Sequence, residues 1–242
     1  MGLLENIIKK VVLEAAIIEH KEKILASVYK IRLKSESIKK ADFKPGYFLR
    51  LGIGIGNDNL SMKDKVRSYS VWDINQTEGY LDIAIATDSK GIGSQWVANC
   101  LVGETVYFKW KKGNFLLDET AESYLMIGDL SALSHLYILN RNLPNNKQVE
   151  SILYSESQSA FFDDIDDSKP FNRYYLKQNP INEILKKVKK ITPKLKENKI
   201  VYIAGDSRVC VALNKYFRNE LNWSTKQIKT KPFWNPDKKG LE

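Results

Sequence analysis

Two short runs carry residue types suited to holding an anionic, ring-bearing ligand. The first is Arg67-Ser68-Tyr69-Ser70, which places an arginine fork, a flat ring and two hydroxyls within four residues. The second is Gly91-Ile92-Gly93-Ser94-Gln95-Trp96, a glycine-bearing loop that reads as the opening of a short helix. Helix N-termini bind phosphate because their first backbone amides lack intrahelical partners and carry the positive end of the helix dipole. Together the runs suit a nucleotide-like cofactor, its diphosphate between Arg67 and the Gly93 and Ser94 amides and its ring system beside Tyr69. Ser68, Ser70, Thr87, Gly91 and Gln95 are the further candidates for lining such a site.

These runs need elements to hold them. Around Arg67 the alternation of Val66, Ser68 and Ser70 with Tyr69 and Val71 predicts a strand, and Tyr80 to Thr87, after the turn at Gly79, predicts its antiparallel neighbour. Ala15 to His20, Ile24 to Leu33, Tyr47 to Ile55 and the run around Val106 bring the count to six short strands, which suits a small antiparallel barrel. The series Gly52, Gly54, Gly56 is not a dinucleotide fingerprint, because the loop Asn57-Asp58-Asn59 follows it where a helix is required. The first residues, MGLLENIIKKVVLEAA, are interrupted by Glu5, Lys9, Lys10 and Glu14. They predict a short amphipathic helix, neither a signal peptide nor a membrane span.

From about Glu119 strand-like runs alternate with helical ones, which predicts a parallel α/β sheet. The expected division is therefore a β-barrel domain over 1–119 and an α/β domain over 120–242. In the second domain Ser123 to Ile127 predicts a strand ending at Gly128-Asp129-Leu130-Ser131-Ala132, and Ile200 to Ala204 another ending at Gly205-Asp206-Ser207. Ligands of open α/β sheets bind beyond the carboxyl ends of the strands. A ligand is accordingly expected over Gly128, Asp129, Ser131, Ala132, Gly205 and Asp206. Glu156, following the predicted strand Ser151 to Tyr154, is placed to accept from a ribose 2′-hydroxyl and to repel a 2′-phosphate, which would favour NADH over NADPH.

The chain has 242 residues, 43% hydrophobic and 28% charged, with a formal net charge of +9. Its two cysteines, Cys100 and Cys210, are far apart and outside any CxxC spacing, so neither a zinc site nor a disulfide framework is indicated. The positive charge raises the possibility of a nucleic-acid binding module. However, many lysines fall between Lys186 and Lys199, opposite the helically spaced Ile181, Ile184, Leu185, Val188 and Ile191, which describes a solvated helix face. The acidic run Asp163, Asp164, Asp166, Asp167 also breaks any basic track. An anionic small ligand or an acidic protein suits the charge better.

The order of Phe43-Lys44-Pro45-Gly46-Tyr47-Phe48-Leu49, the Arg67 run, the Gly91 run, Gly103-Glu104-Thr105-Val106 and Gly113-Asn114-Phe115-Leu116 resembles the FAD-binding barrel of the ferredoxin reductase superfamily. The second half narrows the resemblance. YLMIGDLSALSHLYILNRNLP, KIVYIAGDSRVCVALNKYFRNEL and KPFWNPDKKG resemble the corresponding segments of siderophore-interacting proteins. The resemblance implies a cytoplasmic, monomeric flavoprotein that carries electrons from NADH or NADPH through FAD to a ferric siderophore, without membrane insertion. It makes Tyr69 and Ser70 the residues at the reacting ring. Lys229, Lys231, Lys238, Lys239 and Trp234 of the tail are expected around a polyanionic ferric chelate docked between the domains. Ferredoxin, flavodoxin or free flavin is the alternative acceptor. The chain departs from the pattern at Trp72, where many relatives carry a second arginine, at Thr87, where they carry histidine, and at Trp110 to Phe115 and Ser134.

Overall fold

The computed structural model describes residues 13–55, 60–61, 65–87, 91–157, 160–177 and 180–237. The expected N-terminal helix, the Asn57 to Asn59 loop, and Lys238 and Lys239 lie outside them. The chain divides after Asn114 into two units, five residues before the expected 119/120 division. Phe115 packs at 5.3 Å from Tyr202 and 5.2 Å from His135, residues of the second unit.

The first unit is a seven-stranded antiparallel sheet. Its strands are β1 (Glu14–Leu25), β2 (Val28–Lys34), β3 (Phe48–Gly52), β4 (Val66–Ser70), β5 (Asp73–Asn75), β6 (Tyr80–Ala86) and β7 (Thr105–Lys111), in the order β4-β3-β7-β1-β2-β6-β5. Two short helices accompany them, α1 (Glu36–Lys39) and α2 (Ile92–Asn99). The six expected strands are present, and the seventh is the three-residue β5, too short to show a period. The break expected after His20 is absent. β1 runs on to Leu25 and turns at Ala26 and Ser27, because Lys21, Glu22 and Lys23 pair across to Ile31, Lys30 and Tyr29. Just beyond β4, the Trp72 amide donates to the Asp82 carbonyl on β6 at 2.8 Å, which folds the two sides of the sheet toward one another.

The inner face follows strand alternation: Ile31 and Leu33 of β2, Leu49 and Leu51 of β3, Leu81 and Ile83 of β6 and Phe108 of β7 are fully buried. Each such side chain contributes about 1.5–3 kcal/mol by leaving water. On the opposite face of β2 and β6 lies a buried charge. Asp82 is 0% exposed, and its two oxygens accept from Arg32 Nε and Nη2, each at 2.8 Å, with Lys30 Nζ at 3.1 Å. The bond to Asp82 raises the Arg32 pKa above its ordinary value. The Arg32 guanidinium also lies 3.6 Å over the Tyr80 ring.

The second unit is a parallel sheet of β8 (Ser123–Gly128), β9 (Gln148–Ser155), β10 (Arg173–Tyr175), β11 (Lys199–Asp206) and β12 (Ile228–Trp234), in the order β10-β9-β8-β11-β12. Helices α3 (Leu133–Asn142), α4 (Ile181–Ile191) and α5 (Ser207–Lys215) connect them. Leu125, Ile127, Ile152, Val201 and Ile203 of the sheet pack with Ile184 and Val188 of α4 and Val209 and Leu213 of α5. The β9-to-β10 connection is a loop with no long helix. It packs Phe162 and Phe171 against Tyr137 of α3, with ring centroids 5.9 and 5.3 Å away. Its acidic run is neutralised locally, Asp163 by Arg173 at 2.6 Å and Asp164 by Arg141. No described helix is long and apolar enough to cross a membrane.

Asp82 gives a direct test of what holds β2 and β6 together. Removing one partner of a buried ion cluster leaves the others desolvated and unpaired, so Asp82→Ala is expected to lower unfolding free energy by about 3–5 kcal/mol. Urea denaturation measures it, and a loss below about 1 kcal/mol would show that the cluster contributes little.

Candidate cofactor and nucleotide sites

In the barrel unit the two runs singled out from the sequence meet. A Cβ added to Gly93, in the first turn of α2, would overlap the Tyr69 hydroxyl. Only glycine allows the β4 phenol to sit against the start of that helix. The strand register fixes what accompanies it: Tyr69 pairs with Leu49 and Arg67 with Leu51, whereas Ser68 and Ser70 pair with Arg50 and Phe48. Arg67 and Tyr69 therefore share one face of β4, and Ser68 and Ser70 share the other.

The helix start is built for an anion in its backbone more than in its side chains. The N-cap of α2 is Gly91, extended at φ −69 and ψ 157, and it makes no side-chain capping bond. Ser94 is buried, and its hydroxyl donates to the Ala86 carbonyl at 2.9 Å, tying α2 to the end of β6. Thr87 is likewise used for structure, its amide donating to the Ser27 carbonyl at 2.7 Å. Gln95 is exposed on α2. Arg67 Nη1 donates to the Val66 carbonyl at 2.7 Å, a main-chain acceptor that a phosphate can replace. This donor set of arginine, helix-start amides and an aromatic ring fits a dinucleotide such as FAD. Trp72, at the position of the second arginine of many relatives, is 4% exposed and packs under Lys30 Nζ, 5.4 Å from its ring.

In the parallel sheet, β8, β9, β11 and β12 all present their carboxyl ends on one edge. The chain leaves β8 toward β9 and returns to β11 on the other side, so the switch point lies between β8 and β11. Gly128 and Gly205 both lie there, but their bare faces are turned to protein. A Cβ on Gly128 would meet Leu136, Ala132 and the Ala204 carbonyl; one on Gly205 would overlap the Asp129 carboxylate, and Gly205 is held at φ +115. The two glycines serve internal packing. Asp129 is spent inside the edge as well, accepting from the Ser131 amide at 2.9 Å and the Asp206 amide at 2.7 Å. Ser131 is exposed on the following turn and Ala132 is buried beneath it. Glu156 is exposed just past β9, and Asp206 holds Arg208 Nη2 at 2.6 Å.

The tail residues are divided. Lys229 Nζ pairs with Asp118 at 3.2 Å, Lys231 Nζ lies 5.4 Å over the Phe233 ring, and Trp234 Nε1 donates to Asp129 at 2.8 Å. Two features went unnoticed in the sequence. His135 of α3 is 0% exposed, bonded to the Phe115 carbonyl at 3.1 Å and packed 5.7 Å from Phe233, and burial pushes its pKa down to about 3. Lys65 is also buried. Neither carries a local sequence pattern that would have announced it.

Two family profiles match the chain: an oxidoreductase FAD-binding domain over residues 15–116 and a siderophore-interacting protein domain over residues 121–237. No curated protein sequence matched. Among solved structures, the siderophore-interacting protein of Acinetobacter baumannii superposes with a TM-score of 0.78 at 15% identity, covering 93% of this chain and 90% of that one. SipS of Aeromonas hydrophila gives 0.78 at 15%, covering 94% and 93%. Phthalate dioxygenase reductase gives 0.68 at 17%, covering 92% of this chain and 68% of that one. At these identities the structures establish the fold.

The Tyr69–Gly93 contact and the Arg67 fork predict the behaviour of two variants. Gly93→Ala must displace the Tyr69 hydroxyl, and Arg67→Ala removes a charge-assisted pair worth about 1.5–3 kcal/mol. Each is expected to weaken FAD binding by roughly ten- to a hundredfold. Flavin fluorescence titration of the apoprotein checks this; wild-type affinity in both variants would place the cofactor elsewhere.

Proposed function

We propose that the chain is a siderophore-interacting protein of the ferredoxin reductase superfamily, and that it passes electrons from NADH through FAD to a ferric siderophore in the cytoplasm, releasing ferrous iron. The observation that carries the flavin half is the seating of the Tyr69 phenol on Gly93, with Arg67 on the same strand face. When bound, FAD supplies the conversion between a two-electron hydride donor and one-electron acceptors. The chain's own residues bind and orient. Arg67 and the α2 amides would hold the diphosphate, Tyr69 would pack the ring system, and the Ser70 hydroxyl would hydrogen-bond at the ring edge. Ferric iron is held by hard anionic oxygens and ferrous iron less firmly, so reduction itself loosens the chelate and no protein acid or base is required.

For the donor, the carboxyl edge of the parallel sheet is the nucleotide position, with Ser131 and Glu156 exposed on it. Glu156 repels a 2′-phosphate, and the one guanidinium shown there, Arg208, is already held by Asp206. Steady-state rates are therefore expected to favour NADH over NADPH, and Glu156→Gln to narrow the gap. A clear NADPH preference in the wild type would reject this assignment.

For the acceptor, a ferric tris-catecholate is a polyanion, and the tail offers Lys229 and Lys231 followed by Phe233. Lys229 is already neutralised by Asp118, and Lys231 lies 5.4 Å over the Phe233 ring, so Lys231 is the candidate tested first. A second reading, an acidic electron-carrier protein as acceptor, is favoured by a groove of about 380 Å³ in which Lys186, Lys187, Lys190 and Lys194 outnumber the single acid Glu183, with Tyr174 and Ile191 beside them. Anaerobic rapid mixing separates the two half-reactions. Lys231→Gln is expected to raise KM for an anionic ferric siderophore about two- to fivefold, the value of a solvent-exposed charge pair, and to leave flavin reduction by NADH unchanged. Lys229→Gln should do less. If the NADH-reduced protein is reoxidised by no ferric chelate but readily by a ferredoxin, the second reading replaces the first.

A further inference from the structure

The carboxyl edge holds one buried group that the proposed chemistry leaves unused. Asp129, 8% exposed, accepts four hydrogen bonds: Oδ1 from the Ser131 amide at 2.9 Å and the Ser131 hydroxyl at 2.5 Å, Oδ2 from the Asp206 amide at 2.7 Å and Trp234 Nε1 at 2.8 Å. One carboxylate thus ties the ends of β8, β11 and β12. Burial pushes its pKa up while the donors oppose that rise.

The fourth donor is the informative one. The other three come from the local turn and the neighbouring strand, whereas Trp234 lies 105 residues away and has a ring that is not buried. It is 41% exposed, at the edge where parallel sheets bind ligands. An indole fixed by its N–H keeps its apolar face available and its plane defined. Its neighbours are fastened too: Asn235 Nδ2 donates to the Ser207 hydroxyl at 2.6 Å, and Phe233 packs 5.7 Å from His135. A chain needing only to close its last strand would gain more by burying that ring.

We propose that Asp129 is a positioning residue that holds the Trp234 indole as an aromatic wall of the nucleotide edge, against which a planar heteroaromatic ring of NADH packs. The inference rests on the nucleotide reading of this edge given above. Asp129 touches no substrate; it acts through Trp234.

The FAD-loaded protein with three variants tests it. Trp234→Phe keeps a ring and removes the N–H, Asp129→Asn keeps the volume and removes the charge, and Trp234→Leu removes the ring. NAD+ affinity by equilibrium titration, KM and kcat for NADH, melting temperature and flavin absorbance are measured on each. Trp234→Phe and Asp129→Asn are expected to weaken NAD+ binding about three- to tenfold, with a larger change in KM than in kcat and the same flavin content. Trp234→Leu should lose more, and the Asp129→Asn, Trp234→Phe double variant should be no worse than the poorer single one. If Trp234→Phe and Trp234→Leu melt earlier but bind NAD+ as wild type, the contact anchors the fold only and the inference falls. Should Asp129→Asn not fold, the two Trp234 variants decide alone. A wild type that binds neither nucleotide overturns the reading beneath it, an outcome visible before any variant is made.

Discussion

A carboxylate taken out of water must be met by donors, and the chain has to bring them from wherever they lie. Asp129 draws on the turn after β8, the amide at the end of β11 and the indole at the end of β12. These contacts fix three strand ends at the switch point. They also dictate the backbone: Gly205 adopts φ +115 with no side chain because the Asp129 carboxylate fills the space a Cβ would need. Asp82 plays the same part in the barrel, where Arg32 and Lys30 come to it from the adjacent strand β2. Each unit thus has a buried acid whose partners are set by the packing of its strands. Such groups add less to net stability than apolar burial does, but they penalise any register that leaves them unpaired.

Much of this was legible in the sequence wherever a local rule operates. Period-two alternation located the strands of the barrel, and the change to alternating strands and helices located the parallel sheet. It did not show where β1 turns, because Lys21, Glu22 and Lys23 look like a polar break and are in fact paired strand residues. Nor did it show β5, which has three residues and therefore no period. The loop from β9 to β10 read as an acidic interruption. Its role depends on Tyr137, Arg141 and Arg173, whose approach only the fold determines.

The candidate sites divide in the same way. Arg67, Tyr69 and Gly93 were readable because a strand and a helix start each leave a short signature, and the fold brings the two together. At the carboxyl edge of the parallel sheet the turns were readable in place, and the packing within them was not. Gly128, Gly205 and Asp129 looked like ligand contacts since they follow strands, yet a glycine is required equally when the close neighbour is the protein's own side chain. Sequence cannot separate the two cases, because the neighbour that decides, Leu136 for Gly128 and Asp129 for Gly205, is brought there by packing.

The same distinction applies to charge. A net +9 says that anions will be attracted but not where. In the folded chain many of the cations are committed: Arg32 to Asp82, Arg141 to Asp164, Arg173 to Asp163, Arg208 to Asp206 and Lys229 to Asp118. The lysines of α4, Lys186, Lys187 and Lys190, line one groove of the second unit. The α4 helix keeps like charges such as Lys186 and Lys190 four residues apart, a spacing that costs the helix a few tenths of a kcal/mol. The tail lysines and the α4 lysines stand on different elements. Substitution on one of these elements therefore leaves the charge of the other unchanged.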